Sequence, residues 1–332
     1  MQLVCPAGNL PALQAAIDAG ADAVYVGFRD QTNARAFPGL NFDDNELRQG
    51  VNYAHRRGRK LYIALNTYPG AARVGAWEAA VDRAAELDAD AIIAAELSVL
   101  DYAARRHPGV ARHLSVQGSA TTTAALRYMH ERFGIARAVL PRVLSIQQVQ
   151  RLCETSPVPL EVFAFGSLCI MVEGRCQLSS YVTGASPNRH GVCSPARFVR
   201  WEEGPGGERT VRLNGVLIDR FAPNEPAGYP TVCKGRYAVG DALFHALEEP
   251  TSLNTMELLP QLVSAGVVAL KIEGRQRGAA YVSAVAGTWR AALDRLAADP
   301  EHWAVQPSWQ RTLSAHAEGH QTTLGPYHRS WH

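Results

Sequence analysis

The fold is decided by a helix that runs directly into a short apolar strand, Leu10-Pro-Ala-Leu-Gln-Ala-Ala-Ile-Asp-Ala-Gly-Ala-Asp-Ala-Val-Tyr-Val-Gly27. Its first part has the periodicity of an amphipathic helix, and its last part is a compact β run. The same unit returns at three further places: 84–94, 262–272 and, in a looser form, 133–141. Three glycines stand where such a helix would end in a left-handed residue: Gly20, Gly134 and Gly266. The repeated unit indicates βαβ connections and a mainly parallel sheet.

Compact apolar runs predict eight strands, at 3–5, 23–27, 60–65, 91–95, 113–117, 138–141, 160–164 and 268–272. Predicted helices separate them, at 9–19, 43–55, 76–87, 98–106, 120–132, 145–154, 254–265 and 279–297. Several begin with a good N-cap residue: Asn9, Asp43, Ser98, Ser145 and Asn254. Eight such units predict an α/β fold, a TIM-like (β/α)8 barrel. A doubly wound open sheet competes with it, but no Gly-x-Gly-x-x-Gly follows the first strand.

A segment of different amino-acid composition interrupts the predicted barrel. The barrel accounts for 1–166 and 249–298, and the insertion between them, 167–248, is rich in Gly, Pro and Arg. Within the insertion, two polar–apolar runs flank Gly204-Pro-Gly-Gly207, which predicts a β-hairpin. The tail, 299–332, has no clear period, and we expect it to pack on the barrel or on a partner.

Charge and composition exclude some classes of function. The net charge is +2, so composition does not point to a binder of nucleic acid or of membrane surfaces. The N-terminus lacks the regions of a secretory signal, and no apolar run approaches the about 20 residues of a membrane span. We therefore expect a cytoplasmic protein with no stable nucleic-acid partner and no transmembrane segment. Thiols stay reduced in that compartment, and disulfides are rare.

The clearest sign of a cofactor is a set of four cysteines in the insertion: Cys169, Cys176, Cys193 and Cys233. Four thiols can hold a [4Fe–4S] cluster or a structural zinc ion. Zinc ribbons have close Cys-x2–4-Cys pairs and ferredoxins have a compact Cys run, and neither spacing occurs here. The sulfurs must therefore converge through tertiary structure. This favours an iron–sulfur cluster held over the barrel mouth, and zinc stays open as the alternative.

Two other interpretations of the cysteines compete with ligation. Buried apolar thiols are common, and this interpretation suits Cys5 and Cys153, which lie in or beside predicted core elements. It suits the four insertion cysteines less well, because polar and glycine residues surround them. A covalent nucleophile at Cys169 or Ser167 would need a positioned base, and the sequence places none beside either residue.

Active sites of such barrels lie at the carboxyl ends of the strands. Polar residues predicted there, with two arginines from the insertion, are the candidate substrate-binding residues: Asn33, Arg35, Asn66, Glu96, Gln117, Arg142, Arg175, Arg197, Lys271, Glu273 and Arg275. We expect three of them, Arg142, Lys271 and Arg275, to form a basic patch for a carboxylate-bearing small molecule. The alternative for each residue is a surface position or an ion pair, such as Lys271 or Arg275 with Glu273.

Three blocks of sequence resemble the collagenase-like U-type peptidase family: Glu161-x-Phe-x-x-Gly-Ser-Leu-Cys-x4-Gly-x-Cys-x-Leu-Ser179, Lys271-Ile-Glu-Gly-Arg275 and Cys5-Pro-Ala-Gly-Asn9. The resemblance covers nearly the whole chain. Four further stretches resemble the family's ubiquinone-biosynthesis members: Phe163-Ala-Phe-Gly-Ser-Leu-Cys-Ile-Met171, Cys193-Ser-Pro-Ala-Arg197, Glu248-Glu-Pro-Thr-Ser-Leu-Asn254 and Gln321-Thr-Thr-Leu-Gly325.

This resemblance implies oxygen-independent ubiquinone biosynthesis, through ring hydroxylation of the quinone precursor. It implies a heterodimer with a homologous UbiV-type subunit, each subunit carrying a [4Fe–4S] cluster. The implied ligands here are Cys169, Cys176, Cys193 and Cys233. A lipid-carrier accessory protein is a further expected partner. Relatives that hydroxylate RNA bases are associated with prephenate as the hydroxyl donor, and we extend this donor to the present chain as a hypothesis.

The alternative function is RNA base hydroxylation by a protein of the same family. Those relatives are larger, whereas this chain ends soon after its predicted barrel and has no strongly basic segment, which weighs against RNA. Peptide hydrolysis is less favoured, because neither the sequence nor the resemblance supplies catalytic residues for it. Four cysteine ligands would leave no iron open, so the sequence favours an electron-transfer cluster, with a purely structural cluster as the alternative.

Overall fold

The computed structural model describes residues 1–70, 72–169, 176–187 and 191–328. The strands are β1 (Gln2–Pro6), β2 (Ala23–Val26), β3 (Lys60–Leu65), β4 (Ala91–Ala94), β5 (Ala111–Leu114), β6 (Arg137–Val139), β7 (Leu160–Ser167), β8 (Val199–Glu203), β9 (Arg209–Leu213), β10 (Val216–Phe221), β11 (Tyr237–Val239), β12 (Ala242–Phe244), β13 (Ser252–Asn254), β14 (Ala269–Ile272) and β15 (Thr322–Thr323). The helices are α1 (Leu10–Asp18), α2 (Asp44–His55), α3 (Val74–Glu86), α4 (Leu97–Arg106), α5 (Thr123–Phe133), α6 (Ile146–Thr155), α7 (Gln177–Thr183), α8 (Leu259–Ser264), α9 (Ala279–Ala298) and α10 (Pro307–His316).

Strands β1 to β7 pair in parallel in chain order, and β14 closes the ring. It pairs in parallel with β7 on one side and with β1 on the other, with Lys271 opposite Phe163 and Val4. This closure confirms the predicted TIM-like barrel and excludes the open sheet. Within the described residues, no helix is long and apolar enough to cross a bilayer.

Three of the five predicted N-caps are correct and two are wrong. Asn254 is the last residue of β13, and the helix predicted to begin there, α8, begins at Leu259. Asn9, Asp43 and Ser145 each accept a hydrogen bond from the first turn of their helix, as predicted. Helix α4 instead has its N-cap at Glu96, whose carboxylate accepts from the Val99 N–H at 3.0 Å. The Ser98 hydroxyl also donates to Glu96, so the predicted cap at Ser98 is wrong.

Apolar side chains fill both faces of the barrel wall, which explains the continuous apolar runs of its strands. The layer between strands and helices contains large buried side chains such as Trp77 and Trp289. Inside the barrel, a smaller cluster includes Val4, Tyr25 and Tyr62. The barrel therefore has a packed interior, and its site must lie at the mouth.

The insertion has its own small sheets. Strands β8 and β9, where the sequence predicts a hairpin, pair antiparallel, and β10 adds to β9. The apolar side chains buried beneath this sheet are Val211, Leu213, Ile218 and Val232. Strands β11 and β12 form a separate antiparallel pair.

The chain re-enters the barrel beside the strand from which it left. Strand β13 lies antiparallel to the end of β7, with Ser252 opposite Ser167, and β15 from the tail pairs with β13. The tail also buries Leu313 and Tyr327 in the main core. It therefore packs on the barrel, one of the two alternatives expected from the sequence. The sequence analysis did not predict β13 or β15, because two or three residues carry no periodic signal.

Candidate functional site

A cavity of about 640 Å³ lies at the carboxyl end of the barrel, where the insertion and the tail meet it. Barrel loops contribute Arg35, Arg142 and Arg277 to its wall, and the insertion contributes Cys169 and Cys233. Much of the remaining lining is apolar, including Phe37, Leu168, Ile218, Phe221 and Tyr229. Substrate sites of barrel enzymes lie at this end, and ligand pockets combine apolar walls with a few polar groups in this way.

Three of the four insertion cysteines line this cavity: Cys169, Cys193 and Cys233. Burial, together with the negative charge of Cys169, Cys176 and Cys233, raises the pKa of the Cys193 thiol to about 12, although Arg35 opposes the shift. Cys176 is the N-cap residue of α7, and its Sγ accepts from the Ser179 N–H at 3.4 Å. Convergence of all four sulfurs on one metal group stays a prediction.

The donor set suits a thiolate-ligated metal. None of the six cysteines, all of which the structure describes, forms a disulfide, and crowded thiolates repel one another until a cationic metal group compensates their charge. Sulfur-only sets select Fe–S clusters or zinc. Across the described ranges, no three or more His, Cys, Asp or Glu side chains are arranged to hold a metal ion. The identity of the occupant therefore stays a prediction.

A close backbone contact holds the Cys193 loop on the barrel. The Gly191 carbonyl accepts from the Arg35 N–H at 2.6 Å. Gly191 has a φ of +74°, and a Cβ at this position would lie 2.7 Å from the Asn33 carbonyl oxygen. Arg35 has a φ of +81°, which is uncommon for a residue with a side chain. Glycine at position 191 therefore permits the two backbone segments to lie this close, and Arg35 adopts an uncommon backbone conformation to form the hydrogen bond.

Three arginines gather around Glu273, the first residue after β14. Burial favours protonation of this carboxyl group, but Arg35, Arg142 and Arg277 outweigh it and hold the pKa of Glu273 below its usual value. Arg35 Nη2 lies 3.2 Å from Glu273 Oε1. One carboxylate therefore faces three guanidinium groups at this part of the wall, and Asp219, Glu225 and Glu318 line other parts of the cavity. Guanidinium groups bind carboxylates with directional hydrogen bonds, so this wall suits an anionic ligand.

The basic patch differs in membership from the predicted one. Arg142 lines the cavity, donates from Nη1 to the Ser167 carbonyl at 2.7 Å and stacks over Phe163. Lys271 and Arg275 do not line the cavity. Arg277, which was not predicted, lines the cavity instead. It lies in the same loop, two residues beyond the family-like block that ends at Arg275.

Lys271 lies within β14 and projects into the barrel. Its Nζ is 2.8 Å from Glu161 Oε1 and 4.1 Å from the centre of the Tyr25 ring, and Glu161 also contacts Arg137 at 3.2 Å. The expected alternative of an ion pair therefore holds for Lys271, but with Glu161 rather than Glu273. A buried, paired lysine inside the barrel supports the scaffold below the site.

Arg275 and Asn33 hold the loop that carries Arg35. Arg275 Nη1 donates to Asn33 Oδ1 at 2.7 Å, and Nη2 donates to the Ala34 carbonyl. Asn33 Nδ2 donates in turn to the Phe28 carbonyl at 2.6 Å. Both side chains are buried, so their position is that of a support behind the cavity wall.

The remaining predicted residues are spread around the mouth. Asn66 Oδ1 accepts from the Ala34 N–H at 2.9 Å, and Glu96 caps α4. The buried Oε1 of Gln117 has no hydrogen-bond partner among the residues that the structure describes. Arg197 is exposed and lies over the Phe198 ring at 4.7 Å, and Arg175 falls outside the described residues. Substrate binding by these residues stays a prediction.

A polar contact at the cavity wall was not predicted from the sequence. Ser167, Lys234 and Glu318 all line the cavity, and Lys234 Nζ lies 2.5 Å from Glu318 Oε2. Ser167 donates to the same carboxylate oxygen. No sequence signal connects these residues, because they come from β7, the insertion and the tail.

Comparison with known proteins identifies relatives along nearly the whole chain. The profile of peptidase family U32 matches residues 8–329. The tRNA hydroxylation protein P1 of Bacillus subtilis (strain 168) is 29% identical over 315 residues, covering 94% of this chain and 67% of that protein. The 23S rRNA 5-hydroxycytidine C2501 synthase of Escherichia coli (strain K12) is 27% identical over 299 residues, covering 89% and 40%. The collagenase of Porphyromonas gingivalis (strain ATCC BAA-308 / W83) is 30% identical over 304 residues, covering 88% and 65%.

Proposed function

This chain belongs to peptidase family U32, and we propose that it takes part in an oxygen-independent hydroxylation, with the aromatic ring of a ubiquinone precursor as its substrate. One observation carries the proposal: thiols and an arginine-rich wall share a single, largely apolar cavity. Relatives named for tRNA and rRNA hydroxylation support the reaction class. The sequence stretches that resemble ubiquinone-biosynthesis members support the quinone ring as the substrate.

In this proposal, Cys169, Cys176, Cys193 and Cys233 hold a [4Fe–4S] cluster. When bound, such a cluster supplies one-electron transfer. Two cationic side chains interact electrostatically with these thiols. Burial disfavours the charged form of Arg35, but Glu273, Cys193 and Cys169 outweigh burial and raise the pKa of Arg35. Burial raises the pKa of the Cys233 thiol, and Thr231 and the charge of Lys234 oppose this increase. These residues offset the negative charge of the thiolates.

The arginine wall would bind the hydroxyl donor, for which we propose prephenate. A donor with two carboxylates matches a wall on which three guanidinium groups face one carboxylate. The apolar lining at Phe37, Leu168 and Phe221 would hold the ring to be hydroxylated. We further propose a UbiV-type homologous subunit as the partner, and a lipid-carrier protein that delivers the precursor; both follow from the sequence resemblance.

RNA base hydroxylation is the second candidate, and the names of the relatives favour it. An extruded base is an aromatic ring, and enzymes that modify bases bind it in an enclosed pocket. The cavity suits either ring. The net charge of +2 gives no independent support for RNA as the substrate.

A deletion strain grown with and without oxygen separates the two candidates. Lipid extracts and digested tRNA and rRNA would be analysed by mass spectrometry from the same cultures. Ubiquinone lost only without oxygen, with an un-hydroxylated precursor accumulating, supports the quinone substrate. Unchanged quinone with a missing hydroxylated nucleoside supports RNA instead.

Complementation of that strain tests the arginine wall. The double variant Arg142→Ala/Arg277→Ala should fail to restore the hydroxylated product, because the donor loses two of its three cationic partners. Arg48→Ala is the matched control, since this arginine is exposed on α2. Full complementation by the double variant would contradict the assignment of this wall to the donor.

A further inference from the structure

Three side chains from distant parts of the chain meet at one carboxylate oxygen. Glu318 Oε2 accepts from Ser167 Oγ and lies 2.5 Å from Lys234 Nζ. Lys234 Nζ also lies 3.2 Å from Ser167 Oγ, so each residue contacts the other two. We name Ser167, Lys234 and Glu318 the polar junction. Its ion pair is largely buried, with 7% of the Lys234 side chain and 16% of the Glu318 side chain exposed.

The tail backbone fixes the position of Glu318. Its N–H donates to Ser252 Oγ at 2.9 Å, which ties it to β13. The next residue, Gly319, has a φ of +60°, and a Cβ there would collide with the Pro250 carbonyl. Only glycine therefore allows the tail to pass so close to residue 250. This close approach places the Glu318 carboxylate at the cavity.

The other two members of the polar junction adjoin cysteines. Lys234 directly follows Cys233, and Ser167 stands two residues before Cys169. All three junction residues line the same cavity as these two cysteines. The junction thus places a tail carboxylate and an ammonium group in the cavity that these cysteines line.

We propose that Glu318 is a positioning residue of the cysteine site, which holds the Lys234 ammonium beside Cys233 and so sets the electrostatic environment of the bound cluster. The tail thereby becomes a part of the site, although it belongs to neither the barrel strands nor the insertion. The inference rests on the proposed function in one respect, which is that the four thiols hold a cluster.

The midpoint potential of the cluster tests the inference, because a carboxylate that acts alone and a carboxylate that holds an ammonium group in place affect it in opposite directions. The full chain would be reconstituted with iron and sulfide without oxygen and titrated with EPR detection. Lys234→Met removes a positive charge and should lower the potential, since the reduced cluster is the more negative form. Glu318→Gln keeps the shape but releases the Lys234 ammonium, so it should lower the potential as well. A potential raised by Glu318→Gln, or no shift in either variant, would overturn the proposal.

Conservative variants separate positioning from folding. Lys234→Arg keeps the charge and should restore a potential close to that of the wild type. Glu301→Gln changes an exposed carboxylate of the tail and should leave the potential unchanged. If Glu318→Gln takes up no cluster, Glu318→Asp replaces it: this variant keeps the charge but shortens the side chain by one methylene group, so a lowered potential supports positioning and a wild-type potential contradicts it.

The two proposals fail in different ways. A wild-type protein that takes up no iron at its four thiols would defeat the proposed cluster, and with it the premise of this inference. A wild-type protein that binds the cluster, with junction variants that match it in potential and iron retention, would defeat the role of Glu318 alone.

Discussion

The barrel buries apolar side chains on both sides of its wall, whereas the buried apolar core of the described part of the insertion is formed by Val211, Leu213, Ile218 and Val232. Burial of apolar area contributes about 25 cal/mol per Å², so a small core stabilises little. The insertion relies instead on specific polar contacts, such as the ion pair between Arg236 and Asp219 at 2.5 Å. The scaffold is therefore stable through its packing, and the site-bearing region depends on individual contacts and, by our proposal, on a cluster.

The largest effect should follow from Cys176→Ala. With three thiols left, we expect loss of the cluster and of the oxygen-independent activity together. Because metal binding supplies folding free energy to small metal-holding regions, the insertion should lose stability as well. Limited proteolysis should then cut within 176–248, while the far-UV circular dichroism of the barrel helices persists. Cys153→Ala, at a partly buried thiol on α6, is the control and should keep its iron. Activity retained without a cluster would contradict the redox role.

The second effect lies in the barrel and should leave the insertion intact. Glu161→Gln leaves Lys271 and Arg137 buried without their carboxylate partner. Breaking one side of a buried ion pair lowers the free energy of unfolding by about 3–5 kcal/mol. Urea denaturation measures the loss, with Glu131→Gln on the exposed face of α5 as the control. Iron content per folded molecule should not change; a parallel loss of iron would show that the two regions are coupled.

The third prediction uses pH to probe the barrel interior. Burial lowers the pKa of His113 from 6.5 to about 3, and its ring lies 4.8 Å from that of Tyr62. Between these values the unfolded chain binds a proton that the folded chain does not, so stability falls as the pH decreases. By pH 5 the loss is about 2 kcal/mol. His113→Asn should flatten this dependence in urea titrations at pH 7 and pH 5; an unchanged slope would assign it to another group.

The smallest effect concerns the cap of α4. Glu96→Ala removes the acceptor of the Val99 N–H and should lower the free energy of unfolding by about 1 kcal/mol. Ser98→Ala removes only a hydroxyl that donates to Glu96 and should lower it less. Thermal unfolding of both variants measures the difference. A larger loss of stability in Ser98→Ala than in Glu96→Ala would instead identify Ser98 as the cap.

Local sequence patterns predicted the barrel because its strands and helices each carry their own period. The eight predicted strands overlap the eight observed ones, and the left-handed glycines at 20, 134 and 266 all have positive φ. The direction of Lys271 was not predictable, because β14 is buried on both faces and alternation cannot tell the interior from the helix side. The sequence therefore indicated a mouth position for a side chain that lies inside the barrel.

The site was predictable only where residues stand next to a recognisable block. The sequence predicted Cys169, Cys176, Cys193 and Cys233 as a set of ligands; three of them line the cavity, and ligation by all four stays a prediction. Lys234 and Glu318 were missed although both line the cavity. Their contact joins positions 84 residues apart, and a pair of opposite charges at such a separation resembles many others in the sequence. Tertiary structure alone brings them together.

The pairing of Ser252 with Ser167 has a consequence for how such a chain can change over time. It fastens the exit and the return of the insertion side by side, so the intervening segment is a closed loop whose two ends meet at one seam. The entropy of closing a loop grows only with the logarithm of its length. Segments of quite different length can therefore be exchanged at this seam with little effect on the barrel, and a lineage can acquire new chemistry there without redesigning its scaffold.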